Sequence, residues 1–417
     1  MIYLYQYMKG MPTWLKLLWV FLLFPFLSWA DENVPIQSKK ILVLSSNGGN
    51  GHNAAAGALK SILKDQYDFK VIYPIDDLQI LGVSSGESVY NLALRNGWTR
   101  SVNVVSKYVA PKLFRTYKKK LEGLITQQID DENPDLVISL IPFINFPASE
   151  AARKSDVPYL LITTDNDLQA FVHGLQGVSH PHFKVVIGND LRSGHLMLKK
   201  RNIPDEAIES IGLPIRPDFL AKKDPLELRK HFQIPAYKPV ILVMLGGAGN
   251  DAALDYAKTL GGVQLGVHLI VCAGKNQDLA RKLRKVDLHP TNTMTVMEFT
   301  DKIPELMTLA DLIITKPGTT SITESMFMRL PILVDCTTPV LDWEQANIDM
   351  VVKYGIGGYI SQFEEAEKLV RHYLYDSEFR QEIQTAYQNI PVNRFNEEIA
   401  SLIEEMCMLK KPELASR

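Results

Sequence analysis

The stretch KILVLSSNGGNGHNAAAGALKSIL, residues 40–63, decides how the chain is to be read. It opens with a short apolar run rich in Ile, Val and Leu. A loop of small residues follows, with glycines at 48, 49 and 51, and His52 then begins an alanine-rich segment of helical composition. Strand, glycine turn and helix in that order start a parallel α/β unit. Glycine lets the main chain approach a ligand closely, and the helix beyond the turn aims its free N–H groups and positive dipole end at the same place. A lone imidazole at the mouth of such a helix asks for a chemical role.

Outward from this stretch the pattern repeats. FKVIYPI (69–75), DLVISLI (135–141), PYLLITTD (158–165) and HFKVVIGN (182–189) read as further strands, with helical stretches between most of them. Continuous Val/Ile/Leu runs are what strands covered on both faces require. At GLPIRPDFLAKKDPLELRKHF (212–232) the composition turns to proline and charge, which marks a boundary, and the alternation restarts. KPVILVMLGGAGND (238–251), VHLIVCAG (267–274), TMTVMEF (293–299), DLIITKPG (311–318) and PILVDC (331–336) give five more strand ends. The expected architecture is α/β, two Rossmann-like doubly wound domains whose carboxyl-end crevices face each other. The expected divisions are a linker at 31–39, a first domain at 40–217, a second at 218–385, and a C-terminal helical segment at 386–417.

Residues 8–32, MKGMPTWLKLLWVFLLFPFLSWADE, carry Lys9 and Lys16 ahead of an apolar run that ends in Ser28-Trp29-Ala30. That is the pattern of a secretory signal peptide ending near Ala30, with a membrane anchor over residues 1–30 as the competing reading. Membrane association is expected, and its sidedness stays open.

Composition removes several classes. The net charge of -2 argues against a nucleic-acid binder. Three cysteines, Cys272, Cys336 and Cys407, leave no disulfide framework. No G-x-x-x-x-G-K-[ST] motif is present, and GGNGHN lacks the full dinucleotide fingerprint. His173, His180 and His182 share one segment, but their spacing fits no common zinc site, so no metal is expected.

Three glycine turns remain to carry chemistry. They are Asn47–His52 with Gly49, Asn50 and Gly51, then Gly246, Gly247 and Gly249, and finally TKPGTTSITES (315–325). The third offers Lys316, Gly318, Thr319 and Thr320 to an anion at a helix start, an arrangement suited to a diphosphate. Glu324, in the same helix, has a carboxylate able to accept both hydroxyls of a ribose.

The combination FTDKIPELMTLADLIITKPGTTSITESMFMRLPILV (299–334) resembles the donor half of glycosyltransferases with two facing Rossmann domains, the GT-B architecture. The nearest resemblance is to monogalactosyldiacylglycerol synthases and processive diacylglycerol glucosyltransferases, and more distantly to the N-acetylglucosaminyltransferase of lipid II synthesis. RNIPDEAIESIGLPIRPDF (201–219) resembles the end of that family's first domain. The likeness runs from Lys40 to about Gly358. It implies that Gly246, Gly247 and Gly249 line the donor pocket and that Phe299 flanks the nucleobase. Gly318, Thr319 and Thr320 would hold the diphosphate, Glu324 the ribose, and Glu344 and Gln345 of PVLDWEQAN (339–347) the sugar hydroxyls. His52 would be the general base, with Asp165 as a second base or the group that orients the imidazole. The implied reaction is inverting transfer of a hexose or N-acetylhexosamine from a UDP-sugar to a lipid or other membrane-associated acceptor, without a cofactor. A UDP-sugar epimerase of the same fold and a non-catalytic binder of sugar nucleotides or glycans are the alternatives. The chain departs from its relatives at Leu341-Asp342-Trp343, where Pro-Gly-Gln is common, and at Glu298, where glycine often precedes the phenylalanine.

Residues 88–124 mix apolar side chains and Trp98 with Lys112, Arg115, Lys118, Lys119 and Lys120. Such a surface suits an anionic membrane.

Overall fold

The computed structural model describes residues 38–47, 51–63, 66–78, 93, 98–177, 179–188 and 192–410. The N-terminal apolar segment, Gly49 and Asn50 lie outside the described residues. No described helix is long and apolar enough to cross a membrane.

Two six-stranded sheets are present, and every strand pair in them is parallel. The first is built from β1 (Lys39–Leu44), β2 (Tyr67–Ile72), β3 (Leu136–Ser139), β4 (Tyr159–Ile162), β5 (Phe183–Val186) and the short β6 (Ile208–Glu209). Its order is β2-β1-β3-β4-β5-β6. The second comprises β7 (Val240–Met244), β8 (His268–Gly274), β9 (Thr293–Glu298), β10 (Leu312–Thr315), β11 (Ile332–Asp335) and β12 (Gly357–Ile360), in the order β12-β11-β10-β7-β8-β9.

Burial follows position in the sheet. The interior strands β3, β4, β7, β8, β10 and β11 are buried at nearly every residue, as helices on both faces demand. The edge strands β2 and β9 are only partly covered. β6 and β12 escape sequence reading because one is two residues long and the other begins with two glycines.

In each sheet the strand order reverses once at an interior point, between β1 and β3 and between β7 and β10. Crevices at such points are where ligands of doubly wound folds bind. The loops that leave β1, β7 and β10 carry the three glycine turns.

The chain passes from the first sheet to the second after β6 and returns before its last helix, Phe395–Met408. That helix buries Phe395, Ile399, Ile403 and Met406 against Ile41 and Val43 of β1. The two crossings are pinned together by asparagines. Asn393 Nδ2 donates to Leu213 O at 2.8 Å, Asn396 Nδ2 to Ile215 O at 2.8 Å, and Ile215 N to Asn396 Oδ1 at 3.2 Å. Gly212 has φ 112°, and a Cβ there would lie 2.2 Å from Asn393 Oδ1, so the pinning requires glycine.

Candidate functional site

The helix Gly51–Ile62 leaves the β1 loop and carries the histidine in its first turn. His52 Nδ1 lies 2.9 Å from the carbonyl of Leu140, the residue that follows β3. A carbonyl only accepts, so the proton is on Nδ1 and the lone pair on Nε2. Thr164, beyond β4, puts its hydroxyl 3.0 Å from Nδ1 and donates it to the same carbonyl at 3.3 Å. Burial brings the imidazole pKa down to about 4 against the opposing pull of the Leu140 carbonyl. The ring is neutral at physiological pH, with one nitrogen able to accept a proton.

Asp165 does not orient the imidazole. Its carboxylate accepts from Thr319 Oγ1, which belongs to the second sheet's diphosphate-type turn. The correction has a simple cause: main-chain carbonyl and threonine hydroxyl already satisfy Nδ1, while Asp165 points across the cleft. Burial pushes its pKa up to about 7, Thr319 opposes this, and Glu344 and Asp167 add to it.

On the opposite side the helix Thr319–Phe327 starts immediately after Gly318. Thr319 Oγ1 also accepts from Asn347 Nδ2 at 2.9 Å, and Asn347 donates to Pro317 O at 2.8 Å. Asn166 Nδ2 of the first domain reaches Asn347 Oδ1 at 2.7 Å. Asp165, Thr319, Asn347 and Asn166 thus form one polar network spanning both halves. Neither asparagine stood out in the sequence, since each sits in a short polar segment without spacing of its own.

Glu324 is 2 % exposed, and both its oxygens are engaged. Arg216 donates from Nε at 2.6 Å and from Nη2 at 2.8 Å. Burial raises the Glu324 pKa and Arg216 pulls it back down. This fork-to-fork geometry holds the carboxylate fixed and favours its charge. Arg216 was legible only as part of GLPIRPDF, with no role attached.

Gly51, Thr164, Arg216, Thr319, Thr320 and Glu324 are among the residues around a cavity of about 20 Å³ between the two helix starts. A Cβ on Gly51 would stand 3.7 Å from Thr320 Oγ1, so the two helix starts lie against each other. That volume holds about one water molecule. A larger cavity of about 630 Å³, around Tyr354 and Glu378, contains none of these residues.

The remaining candidates sit around this centre. Gly246 and Gly249 take φ 105° and 83°, and a Cβ on Gly249 would lie 2.2 Å from Ala273 O. A Cβ on Gly246 would come 3.6 Å from Lys316 Cε, which joins the β7 and β10 turns. Lys316 Nζ is 3.6 Å from Glu344 Oε1. Phe299 is 61 % exposed at the rim, with Lys275 Nζ 4.7 Å above its ring. Gln345 is not brought in: it is exposed and donates to Asp349 one turn along its own helix.

Residues 99–116 form one continuous helical run with a π segment at Val105–Val109. Val104, Val105, Tyr108 and Val109 are 49–58 % exposed, and Lys107, Lys112, Arg115 and Lys118 to Lys120 are exposed beside them.

Two parallel six-stranded sheets, each with one interior switch point, have the GT-B architecture, and the matches that follow make the chain a glycosyltransferase. Residues 240–405 match the glycosyltransferase family 28 C-terminal domain. The chain is 27 % identical over 382 residues to the chloroplastic monogalactosyldiacylglycerol synthase of Spinacia oleracea, covering 82 % of this chain and 68 % of that one. It is 25 % identical over 386 residues to the processive diacylglycerol beta-glucosyltransferase of Bacillus pumilus (strain SAFR-032), covering 88 % and 94 %. Among solved structures, Acinetobacter baumannii MurG superposes with a TM-score of 0.58 at 16 % identity over 88 % of this chain and 99 % of that one. The calicheamicin glycosyltransferase CalG4 gives 0.56 at 14 % over 90 % and 100 %. These two likenesses concern the fold.

Proposed function

We propose that this glycosyltransferase moves a hexose or N-acetylhexosamine from a UDP-sugar to a lipid acceptor, with inversion at the anomeric carbon. The observation that carries the reading is the meeting of two helix N-termini, Gly51–Ile62 and Thr319–Phe327, at a place lined by threonine hydroxyls, with Lys316 beside the second. Fixed dipoles and hydroxyls of this kind favour a diphosphate.

In the reaction the acceptor hydroxyl oxygen bonds to the anomeric carbon as the bond to the diphosphate oxygen breaks. Its proton passes to Nε2 of His52, the nitrogen left free by the Leu140 bond. The electron pair leaves with UDP, whose charge is met by Gly318, Thr319 and Thr320 at the helix start and by Lys316. With a pKa of about 4 the free ring is a weak base, and the negative charge developing on the diphosphate favours the imidazolium as the proton arrives. Charge stabilisation by dipoles and a lysine requires no metal. Glu324 takes the ribose hydroxyls, Phe299 lies against the base, and Glu344 faces the sugar.

The lipid acceptor is supported by the diacylglycerol-named relatives and by the exposed Val104, Val105, Tyr108 and Val109 with their basic surround, which suits an anionic membrane surface. We place the protein at a membrane on the same grounds. Incubation of the purified protein with a panel of radiolabelled sugar nucleotides and lipid extracts, with and without EDTA, tests the reading. A labelled glycolipid of inverted configuration is expected in both conditions. Conversion of the donor sugar without transfer would mean an epimerase instead.

A further inference from the structure

The segment 340–347 holds Glu344, which the reading above sets against the donor sugar, and the first domain grips it at both ends. At its far end Asn166 holds Asn347. At its near end stands Asn103, which neither the sequence motifs nor the reaction scheme has used. Asn103 Nδ2 donates to Val340 O at 3.0 Å, and Asp342 N donates to Asn103 Oδ1 at 3.0 Å. Both functional atoms of one amide therefore pair with main-chain groups of the other half, more than 200 residues away. A side-chain amide used in this way imitates a neighbouring strand and fixes main-chain direction as well as position.

What is fixed matters for the sugar. Leu341 between the two bonds is buried, and the turn Asp342–Glu344 follows directly. Glu344 Oε1 lies 3.7 Å from where a Cβ of Gly318 would be and 3.6 Å from Lys316 Nζ, so the turn abuts the diphosphate loop. Asn103 itself lies on the helix Thr99–Val104, one residue before the exposed apolar run and its π segment. Interruptions of this type widen the helix and often accompany functional surfaces.

We propose that Asn103 is a positioning residue for sugar transfer, setting the 340–345 turn over the donor sugar from the helix that carries the acceptor-side surface. The inference rests on the UDP-sugar reading of the site. It requires Asn103 to act on the sugar end of the donor and leave the nucleotide end alone, because no group that holds uridine or ribose touches it.

The test compares wild type, Asn103→Ala and Asn103→Asp as full-length purified proteins. UDP affinity is measured by calorimetry, and kcat/KM for the UDP-sugar is measured with a lipid acceptor in micelles. Asn103→Asp keeps the size and the acceptor for Asp342 N–H but turns an oxygen toward Val340 O, so it guards against loss of packing as the explanation. Expected are UDP affinities within about twofold of wild type in both variants, and kcat/KM for the UDP-sugar lower by about tenfold, the loss of one to two hydrogen bonds. Unchanged kcat/KM in both variants overturns the positioning role while leaving the UDP-sugar reading intact. Equal losses of UDP affinity and kcat/KM also overturn it, and make Asn103 a brace of the whole interface. A wild type that binds no UDP overturns the reading of the site, and the inference with it.

Discussion

The helix starts at Gly51 and Thr319 are built alike and equipped differently. Each leaves a strand at the switch point of its sheet, and each points its N-terminus at the other. The first presents one titratable ring, His52, tied by Leu140 and Thr164 so that a single nitrogen is free. The second presents hydroxyls, main-chain N–H groups and Lys316. The difference teaches how transfer chemistry divides between two copies of one supersecondary unit. Stabilising a leaving diphosphate needs fixed positive potential, whereas removing a proton needs a group whose charge can change.

The sharpest way to break this division is at His52. His52→Ala should lower kcat by roughly 10²–10⁴-fold and leave UDP affinity nearly unaltered, since a base acts on the acceptor proton in the transition state. In Asp165→Asn, which lacks the carboxylate that titrates near 7, kcat/KM should stay flat from pH 8 to about 5 and fall only as the His52 ring charges near 4. A mutant that loses UDP affinity in parallel would turn His52 into a phosphate ligand and erase the contrast between the two helix starts.

The opposite profile belongs to the second helix. Glu324→Ala should weaken UDP binding by about 1.5–3 kcal/mol, roughly ten- to a hundredfold, because it deletes a charged acceptor of two hydrogen bonds. Calorimetry showing full affinity in a folded mutant removes Glu324 from the donor site.

Arg216 sharpens that prediction. With the guanidinium gone, burial alone acts on Glu324 and raises its pKa further. Arg216→Gln should therefore bind UDP more weakly at pH 6 than at pH 8.5 relative to wild type, by up to about tenfold per pH unit in the titrating range. A ratio of the two affinities that stays constant with pH would show that Arg216 contributes shape and not charge.

Much of this was legible in the sequence, for stated reasons. Continuous Val/Ile/Leu runs such as VILVM and LIIT can only be strands covered on both faces, and glycine turns followed by Thr-Thr or by His mark where helices start. What stayed hidden depends on contacts between distant segments. Nothing near Glu324 announces that Arg216, 108 residues earlier, closes on it. Nothing in TTDND separates Asp165, which pairs across the cleft, from Thr164, which holds the histidine. Gln345 illustrates the reverse case: the resemblance gave it a sugar contact, while an i,i+4 bond to Asp349 keeps it on the helix surface. The last helix shows no pattern by which sequence could assign it to the first sheet, since an amphipathic helix fits any apolar face of the right width.

The smallest expected effect concerns Asp165, which accepts from Thr319 at the second helix start. Its pKa stands near 7 because burial, with Glu344 and Asp167 nearby, disfavours the charge more than Thr319 and Lys316 favour it. The sign follows from a folded value above the unfolded one. The stability it gives is complete below the ordinary carboxylate range and is lost as pH rises through about 7. Asp165→Asn, neutral throughout, should match wild type in melting temperature near pH 4 and exceed it at pH 8, by on the order of 2 °C for each kcal/mol recovered. The same charge opposes a diphosphate held at Thr319. Wild-type affinity for UDP should accordingly improve, relative to Asp165→Asn, as pH falls from 8.5 to 6, the ligand's own ionisation being common to both proteins. This slope is opposite to that expected of Arg216→Gln, so one pair of calorimetric series separates the two carboxylates. Parallel curves for wild type and Asp165→Asn would mean that the network across the cleft opens before the donor arrives, and that Asp165 never meets the anion.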